Sequence, residues 1–325
     1  MNRNLIALAI LATTGTAMAQ SNVALYGRLD ASLGETKLNG STSKQLYSGN
    51  LTTSRWGMRG SEDLGGGLKA NFQLETALSV VDGSSGAGFS RQSWVGLSGG
   101  FGSFKLGKTD SVYKDIYDLG NTHNVFDSEF TATKEAFRAG LGNFTSRPNN
   151  QVRYDSPNFD GLSAGLTHSL HEDSATAPDI SAIDVRYRTG SLDLGLAHQD
   201  EDSANLADDR KFTALTATYN FGMARVSALY QQVKAGDNRK DNELGLGVSI
   251  PIGSFDLSAG YGQSTSKSVG GGVAAKGKAF SLGATYALSK RTRTYAGYIN
   301  GDTKNAVGVT TRKYSLFALG IRHDF

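Results

Sequence analysis

The sequence predicts an all-β protein, a 16-stranded antiparallel transmembrane β-barrel with one long connection folded into its lumen. Three observations carry that prediction. Apolar and polar residues alternate with period two along many segments of about ten residues. Glycine is abundant, at 41 of 325 residues against 4 proline, about twice its usual share of roughly 7%. Connections between segments are short at one end and long at the other, the arrangement of outer-membrane barrels.

The first 19 residues read as an export signal removed at maturation. Arg3 gives the basic start, 5–12 an apolar core too short to span a bilayer, and Ala17-Met18-Ala19 a small-residue cleavage site, so the mature chain is expected to start at Gln20 as one domain over 20–325. No later stretch has the roughly 18 apolar residues of a transmembrane helix, a property that a barrel shares with soluble proteins.

Strands are predicted near 23–33, 44–60, 68–79, 89–98, 103–109, 150–156, 161–171 and 180–189. Eight more follow near 191–199, 210–221, 223–234, 241–251, 254–265, 277–288, 292–301 and 312–325. In the first, Val23, Leu25, Leu29, Ala31 and Leu33 share one face, and Tyr26, Arg28, Asp30 and Ser32 the other. Leu68, Ala70, Phe72 and Leu74 likewise oppose Lys69, Asn71, Gln73 and Glu75. Aromatic residues gather toward strand ends, as at Tyr219, Phe221, Phe255, Tyr286 and Phe325, which suits the interfacial girdles of a barrel immersed in lipid. An even number of strands puts both termini at the short-turn end, and sixteen leave an aqueous lumen. On the fourth strand, Gln92, Trp94, Gly96 and Ser98 are read as an outward, small-residue face suited to contact between subunits.

One connection, 110–149, lacks alternation for some forty residues, and loops of that length are usually functional. A short helix capped by Ser128 is expected through Phe130, Glu135 and Phe137, ending at Gly140. Phe130, Phe137, Leu141 and Phe144 would be unburied in an external flap, so the segment is expected inside the lumen.

Composition limits function. The near balance of 33 basic and 30 acidic residues argues against a nucleic-acid partner, and the absence of cysteine removes thiolate metal sites and cysteine nucleophiles. His123, His168, His171, His198 and His323 fall in no catalytic or metal-binding pattern; no cofactor is implied, and a barrel hydrolase is a remote alternative. A channel specific for one substrate is the nearer alternative, although no aromatic track or single-sign ring appears in the sequence.

The sequence resembles the general porins of the Gram-negative outer membrane, of the neisserial type. The resemblance rests on Gln20-Ser21-Asn22-Val23-Ala24-Leu25-Tyr26-Gly27-Arg28-Leu29-Asp30 and on the stretch from Ser54-Arg55-Trp56-Gly57 to Gly66-Gly67-Leu68-Lys69-Ala70. Asn149-Asn150-Gln151-Val152-Arg153-Tyr154-Asp155, Leu288-Ser289-Lys290-Arg291-Thr292 and the closing Gly320-Ile321-Arg322-His323-Asp324-Phe325 continue it in order. It implies a homotrimer in outer-membrane lipid, diffusion of small hydrophilic solutes, and insertion machinery that reads the terminal Phe325. It also implies a basic cluster at the constriction, at the positions of Arg55, Arg91 and Arg147. Arg28, Arg59 and Arg153 are weaker candidates on the wet face, and Asp110, Asp115, Asp118, Asp127 and Glu129 are the candidate opposing acids. Strand parity agrees for Arg55 and Arg59, since a lipid-facing arginine at mid-bilayer costs about 2–4 kcal/mol. A modest anion preference is the expected result.

Overall fold

The protein is described by a computed structural model over residues 22–123, 125–126, 128–170, 179–203 and 209–325. The expected export signal, Asp127 and His171 lie outside the described residues. The strands are β1 (Asn22–Leu38), β2 (Ser41–Ser48), β3 (Arg55–Gly65), β4 (Leu68–Ala77), β5 (Gln92–Gly99) and β6 (Gly102–Lys108). After the long connection come β7 (Gln151–Asp155), β8 (Leu162–Ser169), β9 (Asp179–Thr189), β10 (Leu192–Asp202), β11 (Arg210–Asn220) and β12 (Arg225–Ala235). The last are β13 (Lys240–Ile252), β14 (Phe255–Lys267), β15 (Val273–Ala287), β16 (Thr292–Asn305) and β17 (Thr310–Asp324). All join one antiparallel sheet that closes by pairing β1 with β17.

Those seventeen strands make a sixteen-stranded barrel. Opposite β17, β1 pairs with β2 through its second half and with β3 through its first, so β2 and β3 are two halves of one barrel strand. The sequence suggests a continuous strand over 44–60; the structure interrupts it at 49–54. The cause is Asp30 on β1, fully buried, whose carboxylate accepts the backbone N–H groups of Leu51 (2.9 Å) and Thr52 (2.8 Å) and the hydroxyl of Tyr295 (2.6 Å). A carboxylate that takes two amide donors replaces two rungs of the ladder.

The alternation is inside out relative to a soluble protein. Phe317, Leu319 and Ile321 on β17 are exposed while Leu316 and Ala318, of the other parity, are buried, and Leu215, Leu246 and Leu282 are exposed in the same way. An aromatic belt marks the short-turn end, where Tyr219 and Phe221 stack at 4.5 Å, Phe255 and Tyr286 at 4.7 Å, and Phe325 exchanges backbone hydrogen bonds with Gly27. The turn joining β3 to β4 runs through Gly65, Gly66 and Gly67, all at positive φ, which is why three glycines stand there.

The face of β5 corrects the sequence expectation. Trp94 is paired with Gln73 and Gly96 with Asn71, and partners in an antiparallel pair share a face. Gln73 donates to the Tyr26 hydroxyl at 2.6 Å and Asn71 to Ser98 at 2.9 Å, so Gln92, Trp94, Gly96 and Ser98 belong to the wet wall. Val95 and Leu97 face outward instead. Small residues do not mark the outward face here; the branched apolar pair carries the lipid signal.

Between β6 and β7 the chain forms helix α1 (Val112–Asn121) and helix α2 (Ala132–Ala136), the latter continued by a 3-10 turn at Phe137–Ala139. Ser111 caps α1 by accepting the N–H of Lys114 at 3.2 Å, and Val112, Tyr113 and Ile116 form its buried face. This helix was not expected from the sequence. The α2 turn does end at Gly140, but it starts after Thr131, because the Ser128 hydroxyl donates to the Gly49 carbonyl at 2.5 Å.

Both helices lie against the polar-parity face of the wall. Val112, Tyr113, Ile116 and Phe137 pack with Phe212, Leu229 and Val233 in one apolar cluster; Val125 and Phe130 pack with Tyr295, Ile299 and Leu316 in another. Burying each large side chain contributes about 1.5–3 kcal/mol. Close approach needs a bare wall: Gly277 lies against the carbonyl of Ala136, with no room for a Cβ.

Candidate pore constriction

Glu75 on β4 is the centre of the wall cluster, with 6% of its surface exposed. Arg91 reaches it through Nε at 2.6 Å, Arg55 stands 3.8 Å away, and the Tyr26 hydroxyl donates to its second oxygen at 3.0 Å. Arg55 also donates to Thr52 Oγ1 at 3.3 Å, and Arg28, directly opposite Arg55 on β1, approaches the same oxygen at 3.5 Å. Two guanidiniums against one carboxylate leave a net positive charge fixed in place. Glu75 was not singled out in the sequence, although its parity with Lys69, Asn71 and Gln73 puts it on the wet face.

The basic track continues around the barrel. Asp324 on β17 holds both Arg28 (2.5 Å) and Arg322 (2.8 Å), and Arg293 on β16 stands opposite Arg322. No hydrogen bond or ion pair holds Arg293 among the described residues. Between these strands and the helices lies a cavity of about 770 Å³. The described residues lining it include six cations, Arg28, Lys114, Lys134, Arg225, Arg293 and Arg322, and two carboxylates, Asp118 and Asp256. Asp256 is paired with Arg225. His123 also lines the cavity, where burial and the Arg225 guanidinium push its imidazole below its ordinary value. Arg225, Arg293 and Arg322 were not among the candidates, yet parity alone sets Arg322 opposite the lipid-facing Ile321.

The other candidates lie elsewhere. Arg147 is bound to Asp110 through Nε at 2.6 Å, and its carbonyl accepts from Lys108 Nζ at 3.0 Å, so it sits at the base of the long connection. Arg153 is a buried clamp under α1, donating to Asp115 at 2.6 Å, to the Asp110 carbonyl at 2.8 Å and to Asp155 at 2.5 Å. Arg59 lies over the Tyr26 ring at 5.1 Å.

Among the acids, Asp110 and Asp115 are paired with Arg147 and Arg153, Asp118 with Lys114, and Glu129 with Lys134 at 2.5 Å. Burial works against the Lys114 ammonium, but Asp118 and Asp110 outweigh it and hold its pKa above the ordinary value. The connection therefore spends its carboxylates on its own anchorage. Further anchors come from the wall: Glu201 accepts the Thr145 N–H at 2.5 Å, Asp241 accepts that of Leu141, and Arg312 on β17 holds Glu135 of α2 at 2.6 Å.

Comparison with known proteins fits this geometry. Residues 5–306 match the sequence profile of Gram-negative porins. The chain is a Gram-negative porin. It is 35% identical to outer membrane porin protein 32 of Delftia acidovorans, over 99% of this chain and 95% of that protein. It is 29% identical to the major outer membrane protein P.IB of Neisseria meningitidis serogroup A, over the full length of both. An anion-selective porin from Comamonas acidovorans superposes with a TM-score of 0.80 at 30% identity, over 94% of this chain and all of that one. This porin is thus an outer-membrane β-barrel and a diffusion channel, not an enzyme.

Proposed function

We propose that this porin passes small hydrophilic solutes with a modest preference for anions, that 110–149 is the segment narrowing the lumen, and that the working unit is a homotrimer. The preference rests above all on the cavity lining, with six cations to two carboxylates among the described residues. Fixed positive charge in a narrow aqueous passage concentrates anions and repels cations. The anion selectivity of the Comamonas porin supports the same reading.

Purified protein in a planar bilayer should give large ohmic steps, with a reversal potential of anionic sign across a salt gradient. Folded protein without conductance would refute the pore, a cationic sign would refute the preference, and saturable block by one solute would favour a substrate-specific channel. Mass measurement of the same sample in mild detergent should give three chains; a conducting monomer counts against the trimer.

We further propose that Phe325 is the residue read by the barrel-insertion machinery. Its backbone already closes the barrel against Gly27, so the ring is tested separately from the closure. Both deletion of Phe325 and Phe325→Ala should lower assembled barrel severalfold in cells, with export intact. Unchanged assembly in Phe325→Ala would leave only the backbone role.

A further inference from the structure

Arg59 stands four residues along β3 from Arg55, toward the short-turn end and about 13 Å away. Register places it in a row across the wet wall that runs from Ala24 on β1 through Arg59 and Gln73 to Trp94 on β5. The next wet row toward the turns is low, with Ser61 and Gly96 on either side of Asn71. These rows enclose a recess of about 460 Å³, within the roughly 300–1,000 Å³ of small-molecule sites. Helices α1 and α2 pack along β8–β16, so the recess lies on another arc of the wall.

Two side chains of the recess have binding capacity to spare. The Arg59 guanidinium lies over the Tyr26 ring at 5.1 Å, a contact that orients its fork, yet among the described residues no hydrogen bond or ion pair engages it. Its neighbours in register, Ala24 and Gln73, carry no charge, and the Gln73 amide is given to the Tyr26 hydroxyl. Trp94 donates its indole N–H to Gln92 at 3.1 Å, so what it offers the lumen is ring surface. Lys105 stands 5.3 Å from the centre of that ring but is paired with Asp155 at 3.1 Å. Arg59 is therefore the uncommitted cation beside the indole.

We propose that this recess binds aromatic carboxylates, with the arene against Trp94 and the carboxylate on Arg59. The two residues are two strands apart, about 10 Å between backbones, and their long side chains share the wet face, so a ring bearing a carboxylate fits the gap that remains. The planar fork matches a carboxylate with two parallel hydrogen bonds, and an indole gains from an arene beyond the area buried. An inorganic anion would use Arg59 alone, and a neutral arene Trp94 alone. Two contacts of this size make a weak site, which retards such solutes inside an open pore while others diffuse past.

The test uses the full protein in mild detergent with Trp56→Phe, because Trp56 and Trp94 are the two tryptophans of the chain and Trp56 has the opposite parity. The probe is para-nitrobenzoate, an arene carboxylate that quenches indole fluorescence. It should quench Trp94 saturably, half-complete on the order of 1–10 mM. The uncharged para-nitrobenzamide should bind at least about fivefold more weakly, and so should para-nitrobenzoate on Arg59→Gln. Benzoate should displace the quencher at least about threefold better than cyclohexanecarboxylate, which lacks the arene. Trp94→Leu, which retains Trp56, should show no saturable quenching. Single-channel steps in potassium chloride establish that each variant forms a pore, so failure of the site and failure of the pore are read separately. Unsaturable quenching of Trp94, equal affinity for acid and amide, equal displacement by the two competitors, or unchanged affinity in Arg59→Gln would overturn the proposal. The acid–amide and competitor comparisons need no variant of the recess, so they decide the matter even where Arg59→Gln fails to assemble.

Discussion

Arg153→Ala is expected to destabilise the barrel by about 3–5 kcal/mol and to turn a steady pore into a larger, flickering one. Arg153 is 8% exposed and makes three kinds of contact at once: Asp115 in the first turn of α1, the Asp110 carbonyl just before that helix, and Asp155 on its own strand. Removing the guanidinium leaves two part-buried carboxylates facing each other, with Lys105 at 3.1 Å from Asp155 as the nearest replacement. Uncompensated charge of this kind costs more than the pair itself contributes. Tyr113 and Ile116 still pack on the wall, so the helix is loosened rather than released. Arg153→Lys keeps the charge but loses the planar fork and should fall between the two. Thermal unfolding in detergent and single-channel recording check both halves. A variant that melts with the parent and conducts with the same step size would show that the clamp holds nothing.

Why that residue was legible only as a wet-wall charge follows from what a strand pattern contains. Period two fixes the face of a side chain but not its height or its partner. Parity therefore anticipates the lipid face of β1 and β4 and the wet side of Arg55 and Arg59. It also puts Arg322 on the face opposite Ile321. The break at 49–54 was invisible because its cause, Asp30, lies on a different strand. Arg147 is tied to Asp110 across the base of the long connection, a contact no local pattern encodes. Helix α1 was a different kind of miss. Its Ser111 cap, its Lys114 and Asp118 pair at i, i+4 and its apolar Val112, Tyr113 and Ile116 are all local signals. The loss of strand alternation over 110–149 masks them.

Replacing both Arg55 and Arg91 by Gln should shift the reversal potential strongly toward cations, more than either change alone. The parent has two guanidiniums around Glu75, and the double variant leaves that carboxylate by itself, a change of sign at one point of the wall. One unit charge about 4 Å from a passing ion is worth about 1 kcal/mol even in bulk water, roughly a fivefold change in local ion concentration, and more beside a low-dielectric wall. Glu75→Gln in the parent should move the potential the other way, toward anions. The triple variant, with all three side chains neutral, should return part of the way from the double variant, since the exposed carboxylate has gone with its partners. That ordering separates the Glu75 cluster from the track of Arg28, Arg322 and Arg293, which all these variants leave intact. If the track alone sets selectivity, the three variants give the parent's potential. The differences should shrink from 0.1 M to 1 M salt, as the screening length falls from about 10 Å to about 3 Å and the charges act only on ions in contact with the wall.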